Sequence, residues 1–214
     1  MADEQYPNIV LTGFMGTGKS VVGQRIATMT GRTFVDIDSE ITARHGSIPE
    51  IFAKGGEEQF RQLENEMVAE IAPKRNQVIA TGGGTFLDQD NVVAFLGAEV
   101  FTLTADPEEI ERRVTADGIE GRPLLADSDD VSATITSLLA ERSEAYGKFT
   151  AVDTTGKSVD GVVDALRDAG ASIASPEAAA DTTDTKAKTD QVLYGVLAIT
   201  IVIAIVLLVL VLTF

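Results

Sequence analysis

The stretch GFMGTGKS, Gly13 to Ser20, matches G-x-x-x-x-G-K-[ST] at every position and follows the apolar run Ile9, Val10, Leu11. Glycines let such a loop turn with its N–H groups facing inward, and a helix starting near Ser20 adds its dipole, so the loop can cradle phosphates. Gly13, Gly16, Thr17, Gly18, Lys19 and Ser20 are therefore the candidate nucleotide-binding residues. Lys19 supplies a point charge to the β- and γ-phosphates, and the Ser20 hydroxyl is placed to ligate Mg²⁺. The loop alone does not say where a phosphoryl group would go.

Four further segments bear on the acceptor. VDIDSEI places Asp36 and Asp38 at the end of a strand with the same face exposed, positioned for Mg²⁺ and for an acceptor hydroxyl. The alternative is that one of them caps the helix that follows. IFAKGGEEQFRQLENEMV sets Glu57, Phe60, Arg61 and Glu64 on one helical face. An arginine held between two glutamates can present its fork to a substrate carboxylate, or it can belong to a surface ion-pair ladder that contributes little. Gly82, Gly83 and Gly84 directly follow a strand, which favours close backbone approach to something bound over a plain turn. In GIEGRPLLADSDD, a glycine-flanked charged loop carries Arg122, as a lid closing over phosphates would.

The elements that must position these groups alternate. Apolar runs at Ile9–Leu11, Thr33–Ile37, Val78–Ala80, Glu99–Leu103 and Ala151–Val152 predict five buried strands. Helical patterns are predicted at Ser20–Thr30, Ile48–Lys54, Glu57–Ala72, Pro107–Ala116, Asp130–Phe149 and Val159–Ala169, with Pro107 in a first turn capped by Asp106. The class is α/β, with parallel βαβ units. His45, the only histidine, reads as solvated or capping, and Tyr146 and Phe149 read as core. Phe52 and Phe60 read as core or as walls of an acceptor pocket.

The ordered set GFMGTGKS, DID, IFxxxGExxFRxxE, GGG, RPLL and ERSEAY resembles shikimate kinase over nearly all of residues 7–170. That resemblance implies a P-loop kinase with a five-stranded parallel sheet flanked by helices. Its implied reaction moves the γ-phosphate of ATP, with Mg²⁺, to the 3-hydroxyl of shikimate. It implies that Asp38 binds the acceptor's hydroxyls and acts as base, and that Asp36 lies by the metal with Ser20. Arg61, Gly83 and Gly84 would form the floor of the acceptor pocket, and Arg142 would be a second arginine on the carboxylate. Lys19, Asp38 and Arg122 would be the catalytic residues, Arg122 reaching the transferring phosphate. Whether Arg112 or Arg113 stacks on adenine stays open, because the segment before the lid is longer than is common in the family. Two other readings are a kinase for gluconate or a nucleoside monophosphate, and a catalytically silent homologue serving as a membrane-tethered binding module. The two arginines and the GGG segment weigh against the first, and the presence of Lys19, Asp38, Arg61 and Arg142 against the second.

Bulk properties set outer bounds. The absence of cysteine excludes disulfides and thiolate chemistry, and a net charge of −16 argues against a nucleic-acid partner. MADEQYPNIV lacks a basic-then-apolar pattern, which predicts no cleaved secretory signal. Val192 to Phe214 carries no charge, and as a helix it would reach about 34 Å, enough for a ~30 Å hydrocarbon core. The expected organisation is a monomeric catalytic domain at 1–170, a flexible Ala/Thr/Asp linker at 171–190 and one transmembrane helix at 191–214. The catalytic domain would then be cytoplasmic and anchored to the lipid bilayer of the cell membrane.

Overall fold

A computed structural model describes residues 6–126 and 128–174. Its first strand, β1 (Ile9–Gly13), is buried along its whole length and pairs in parallel with two neighbours. These are β3 (Gln77–Ala80) and β4 (Glu99–Thr104). Outside them lie β2 (Thr33–Asp36) and β5 (Thr150–Asp153), giving the order β2-β3-β1-β4-β5, parallel throughout. Buried runs without polar alternation form such a sheet because both faces are covered.

Strand alternation divides the core. Ile9, Leu11 and Val78 face one way, against α1 (Lys19–Thr30) and α8 (Val159–Asp168) through Val22, Ile26, Val162 and Leu166. Val10 and Ile79 face the other way, against α2 (Ile37–His45) and α3 (Ile48–Ile71) through Ile37, Ile41, Phe60 and Met67. A third cluster of Phe14, Ile110, Val114, Leu125 and Ile135 lies under α5 (Pro107–Asp117), α6 (Pro123–Ala126) and α7 (Val131–Tyr146).

Several expectations shift for local reasons. Asp36 does not continue a strand through Asp38: its carboxylate accepts from Ser39 N at 3.0 Å and caps α2. Asp38 therefore stands in the first turn of a helix, not beside Asp36 on a strand face. The two helices expected on either side of Gly55 and Gly56 are one element broken there by non-helical dihedrals. Asp106 makes no side-chain cap bond, whereas Asp130 caps α7 through Ala133 N. Gln89–Ala94 (α4), the 3-10 turn Thr85–Leu87 and α6 are short helices that the sequence patterns did not predict.

At the amino edge of the sheet, Glu99 accepts from Ser172 N at 2.8 Å, and Arg32 donates to both Ser172 O and Pro7 O. Ala171 and Ile173 are buried, so packing continues to Ile173, three residues past the expected boundary at 170. Among the described residues no helix is long and apolar enough to cross a membrane. The expected span at 191–214, and the linker from 175 onward, lie outside the described residues.

Candidate active site

Five parallel strands deliver their carboxyl ends to one edge, and in open α/β sheets ligands bind outside that edge where strand order reverses. Here β1 releases Gly13–Ser20 and β3 releases Gly82–Gly84, side by side. Gly13 has φ +130° and lies so close to the β4 backbone that a Cβ would strike Leu103 O, so no other residue fits the exit of β1. Gly16 and Gly18 also have positive φ, +78° and +90°.

Within this loop Lys19 Nζ donates to Gly13 O and Phe14 O, both at 2.9 Å. Burial lowers its pKa to about 8, against the opposing pull of Asp38 and Asp36. Thr17 is turned inward and its hydroxyl donates to Phe14 O at 2.7 Å, so that side chain closes the loop and leaves only its main chain for a ligand. The N-cap of α1 is Gly18 and supplies no side-chain bond, which leaves the first-turn N–H groups for an anion. Ser20 Oγ donates to Asp36 Oδ2 at 2.5 Å, joining the two residues expected at the metal. Asp36 thus caps α2, the alternative that the sequence offered, and its other oxygen accepts from Ser20.

The acceptor side is built from four separated segments. Asp38 Oδ1 is enclosed and has no hydrogen-bond partner. Burial, with Glu64 and Asp36 nearby, pushes the Asp38 pKa up to about 7 despite Lys19 and Arg61. Arg61 is gripped by Glu57 at 2.8 Å and by Glu64 at 2.6 Å. Glu64 is 0% exposed and also accepts from Thr85 Oγ1, so this is an anchored fork and not a surface ladder. A Cβ on Gly84 would lie 2.6 Å from Arg61 Nη2, which is why the turn beneath that fork is glycine.

Arg142, on α7, is 2% exposed. Its Nη1 donates to Gly83 O at 3.2 Å, its guanidinium sits 5.6 Å from the Phe14 ring centroid, and its Nε has no partner. No carboxylate among the described residues forms an ion pair with it. Arg122 folds back on the end of α5, donating to Gly118 O and, at 3.4 Å, to Asp117. It faces the same cleft, of about 950 Å³, as Lys19, Ser20, Asp36, Asp38, Arg61, Gly83, Gly84 and Arg142. The cleft joins a phosphate loop to a pocket that holds Arg61, Arg142 and the carboxyl of Asp38, an arrangement able to transfer a phosphoryl group to the hydroxyl of an anionic acceptor.

The family model for shikimate kinase matches residues 15–169. The chain belongs to the shikimate kinase family. The Geobacter metallireducens shikimate kinase is 43% identical over 159 residues, 73% of this chain and 87% of that one. The Caldanaerobacter subterraneus enzyme is 41% identical over 161 residues, 73% of this chain and 92% of its own. Among solved structures, the Acinetobacter baumannii shikimate kinase in complex with shikimate superposes with a TM-score of 0.72 at 33% identity. That likeness covers 78% of this chain and 94% of the other.

This shikimate kinase family chain also has site contacts that the sequence reading passed over. Glu64, which the spacing gives as one of two glutamates holding Arg61, also ties that arginine to Thr85. Tyr146 packs against the third core cluster, as its reading as core implies, and its hydroxyl also donates to Gly83 O at 2.6 Å. Its place one turn after Arg142 on the same helix was the available signal. Arg113 is occupied by Gly16 O, Thr154 and Glu109, whereas Arg112 bonds only Glu109 and stays largely exposed at the cleft rim.

Proposed function

We propose that this chain transfers the γ-phosphoryl group of ATP to the 3-hydroxyl of shikimate, yielding shikimate 3-phosphate and ADP. The observation that carries the reading is that Asp38 and Arg142, each with a buried side-chain atom that lacks a partner, line one cleft with Lys19 and Arg61. A buried carboxyl and a buried cation with no counter-ion are costly on their own, and an acceptor with a hydroxyl and a carboxylate offers a partner to each. Membership of the family, and the solved relative in complex with shikimate, support the same acceptor.

Lys19 exchanges its two loop carbonyls for the β- and γ-phosphate oxygens while the α1 N–H groups bind the phosphates. Ser20 and Asp36 present hard oxygen donors 2.5 Å apart at the helix start and fit Mg²⁺. When bound, that ion would neutralise charge on the phosphates. Arg61 and Arg142 orient the acceptor through its carboxylate, and Asp38 receives the proton of the attacking hydroxyl. Arg122 turns from Gly118 toward the transferring group as the 118–122 segment closes. Arg112, free of the scaffold bonds that hold Arg113, lies against the adenine. Release of ADP with shikimate as the sole acceptor, run beside gluconate and nucleoside monophosphates, tests the assignment. Turnover confined to another acceptor overturns it.

The 23 uncharged residues from Val192 form a bilayer-spanning anchor in the same reading. Membrane fractions should retain the full chain and lose a version ending at Ala174. Equal partitioning of the two removes the anchor from the account.

A further inference from the structure

Gly83 O accepts two hydrogen bonds, a short one from the Tyr146 hydroxyl at 2.6 Å and a longer one from Arg142 Nη1 at 3.2 Å. Both donors rise from α7 one turn apart, and the main-chain carbonyl of Tyr146 is itself fixed by Thr102 Oγ1 of β4 at 2.9 Å. Tyr146 does not line the cleft, whereas Arg142 and Gly83 do. The tyrosine therefore stands behind the glycine turn, and the arginine stands at its edge.

We propose that Tyr146 is a positioning residue that makes Arg142 available to the acceptor's carboxylate. Nη1 can stay on Gly83 O while the remaining N–H groups of Arg142 meet a carboxylate, so this carbonyl sets the plane in which the fork is presented. Without a second partner the Gly83 carbonyl would be free to swing with the glycine turn and tilt the arginine out of that plane. The tyrosine hydroxyl holds Gly83 O in place through a bond that does not depend on the arginine. It also fixes the orientation of the 83–84 peptide, and with it the glycine floor beneath Arg61. Burial raises the phenol's pKa, so it remains a donor at neutral pH and above.

The proposal rests on the reading of Arg142 as a carboxylate ligand, and the test separates the two. Tyr146→Phe keeps the ring and removes only the hydroxyl. The expected result is a KM for shikimate raised about tenfold, the usual worth of one buried hydrogen bond, with the KM for ATP and the melting temperature nearly unchanged. In an Arg142→Ala background the same substitution should leave the KM for shikimate where Arg142→Ala alone puts it, because no arginine remains to be oriented. With the carboxamide analogue of shikimate the variant and the parent should be alike. An unchanged KM for shikimate in Tyr146→Phe, or equal increases in both KM values with a lowered melting temperature, overturns the positioning role. A parent enzyme inactive on shikimate overturns both readings.

Discussion

The two halves of the cleft are made differently. The nucleotide half is one contiguous stretch, Gly13 to Ser20, in which Lys19 and Thr17 bond to the loop's own main chain. It is self-satisfied and ready to trade internal bonds for phosphate oxygens. The acceptor half is assembled from α2, α3, the β3 exit and α7, and it keeps Asp38 Oδ1 and Arg142 Nε without partners. A phosphate site can be general because every nucleotide offers the same oxygens. An acceptor site discriminates by holding polar groups that only the right substrate satisfies, since a wrong one leaves them unpaired.

Substitutions should therefore separate cleanly by half. Asp38→Asn is expected to have the largest effect, lowering kcat about 100- to 10,000-fold while ATP titrations show affinity close to that of the parent. Normal turnover in that variant would remove Asp38 as the base. Arg142→Met should lower kcat/KM for shikimate about 100-fold. It should at the same time raise the melting temperature of the free protein, because a buried cation without a counter-ion is replaced by an apolar chain. A variant that loses both activity and stability would show that Arg142 is structural.

The pH profiles sharpen the same contrast. Asp38 must be ionised to accept a proton, so kcat/KM for shikimate should fall as pH drops through about 7. Asp38→Asn should abolish that acid limb. Lys19 must be charged to meet phosphate, so kcat/KM for ATP should fall as pH rises through about 8. Both limbs in a single kinetic constant would mean that the halves are not separable. The smallest effect is expected from Gly84→Ala, whose methyl would press on Arg61. It should raise the KM for shikimate roughly tenfold and leave ATP untouched.

The same division explains what could be read from the chain. The phosphate loop was legible because its chemistry, its strand and its helix are contiguous. The five strands were legible because buried parallel runs are uninterrupted apolar segments. In the acceptor half, Asp38, Arg61 and the GGG turn stand out by residue type and position while Arg142 comes only with the family resemblance, and nothing in the order 38, 61, 83, 142 dictates that these residues meet. Asp38 was placed on a strand because alternation was assumed to continue, whereas Asp36 ends the strand by capping α2. Tyr146 was read as core because aromatic rings are read by their apolar bulk, and a single hydroxyl reaching a carbonyl 63 positions away leaves no periodic trace.

The grip of Arg32 and Glu99 on Ser172 fixes the far end of the described residues. It seats the last described residues beside the starts of β1 and β4, while nucleotide and acceptor enter past the ends of those strands. A five-residue strand at about 3.3 Å per residue puts roughly 16 Å of protein between the two points. The bonds that close on Ser172 are thus held about one strand length from the loops that leave β1 and β3, and Ser172→Ala should lower the melting temperature with both KM values unchanged.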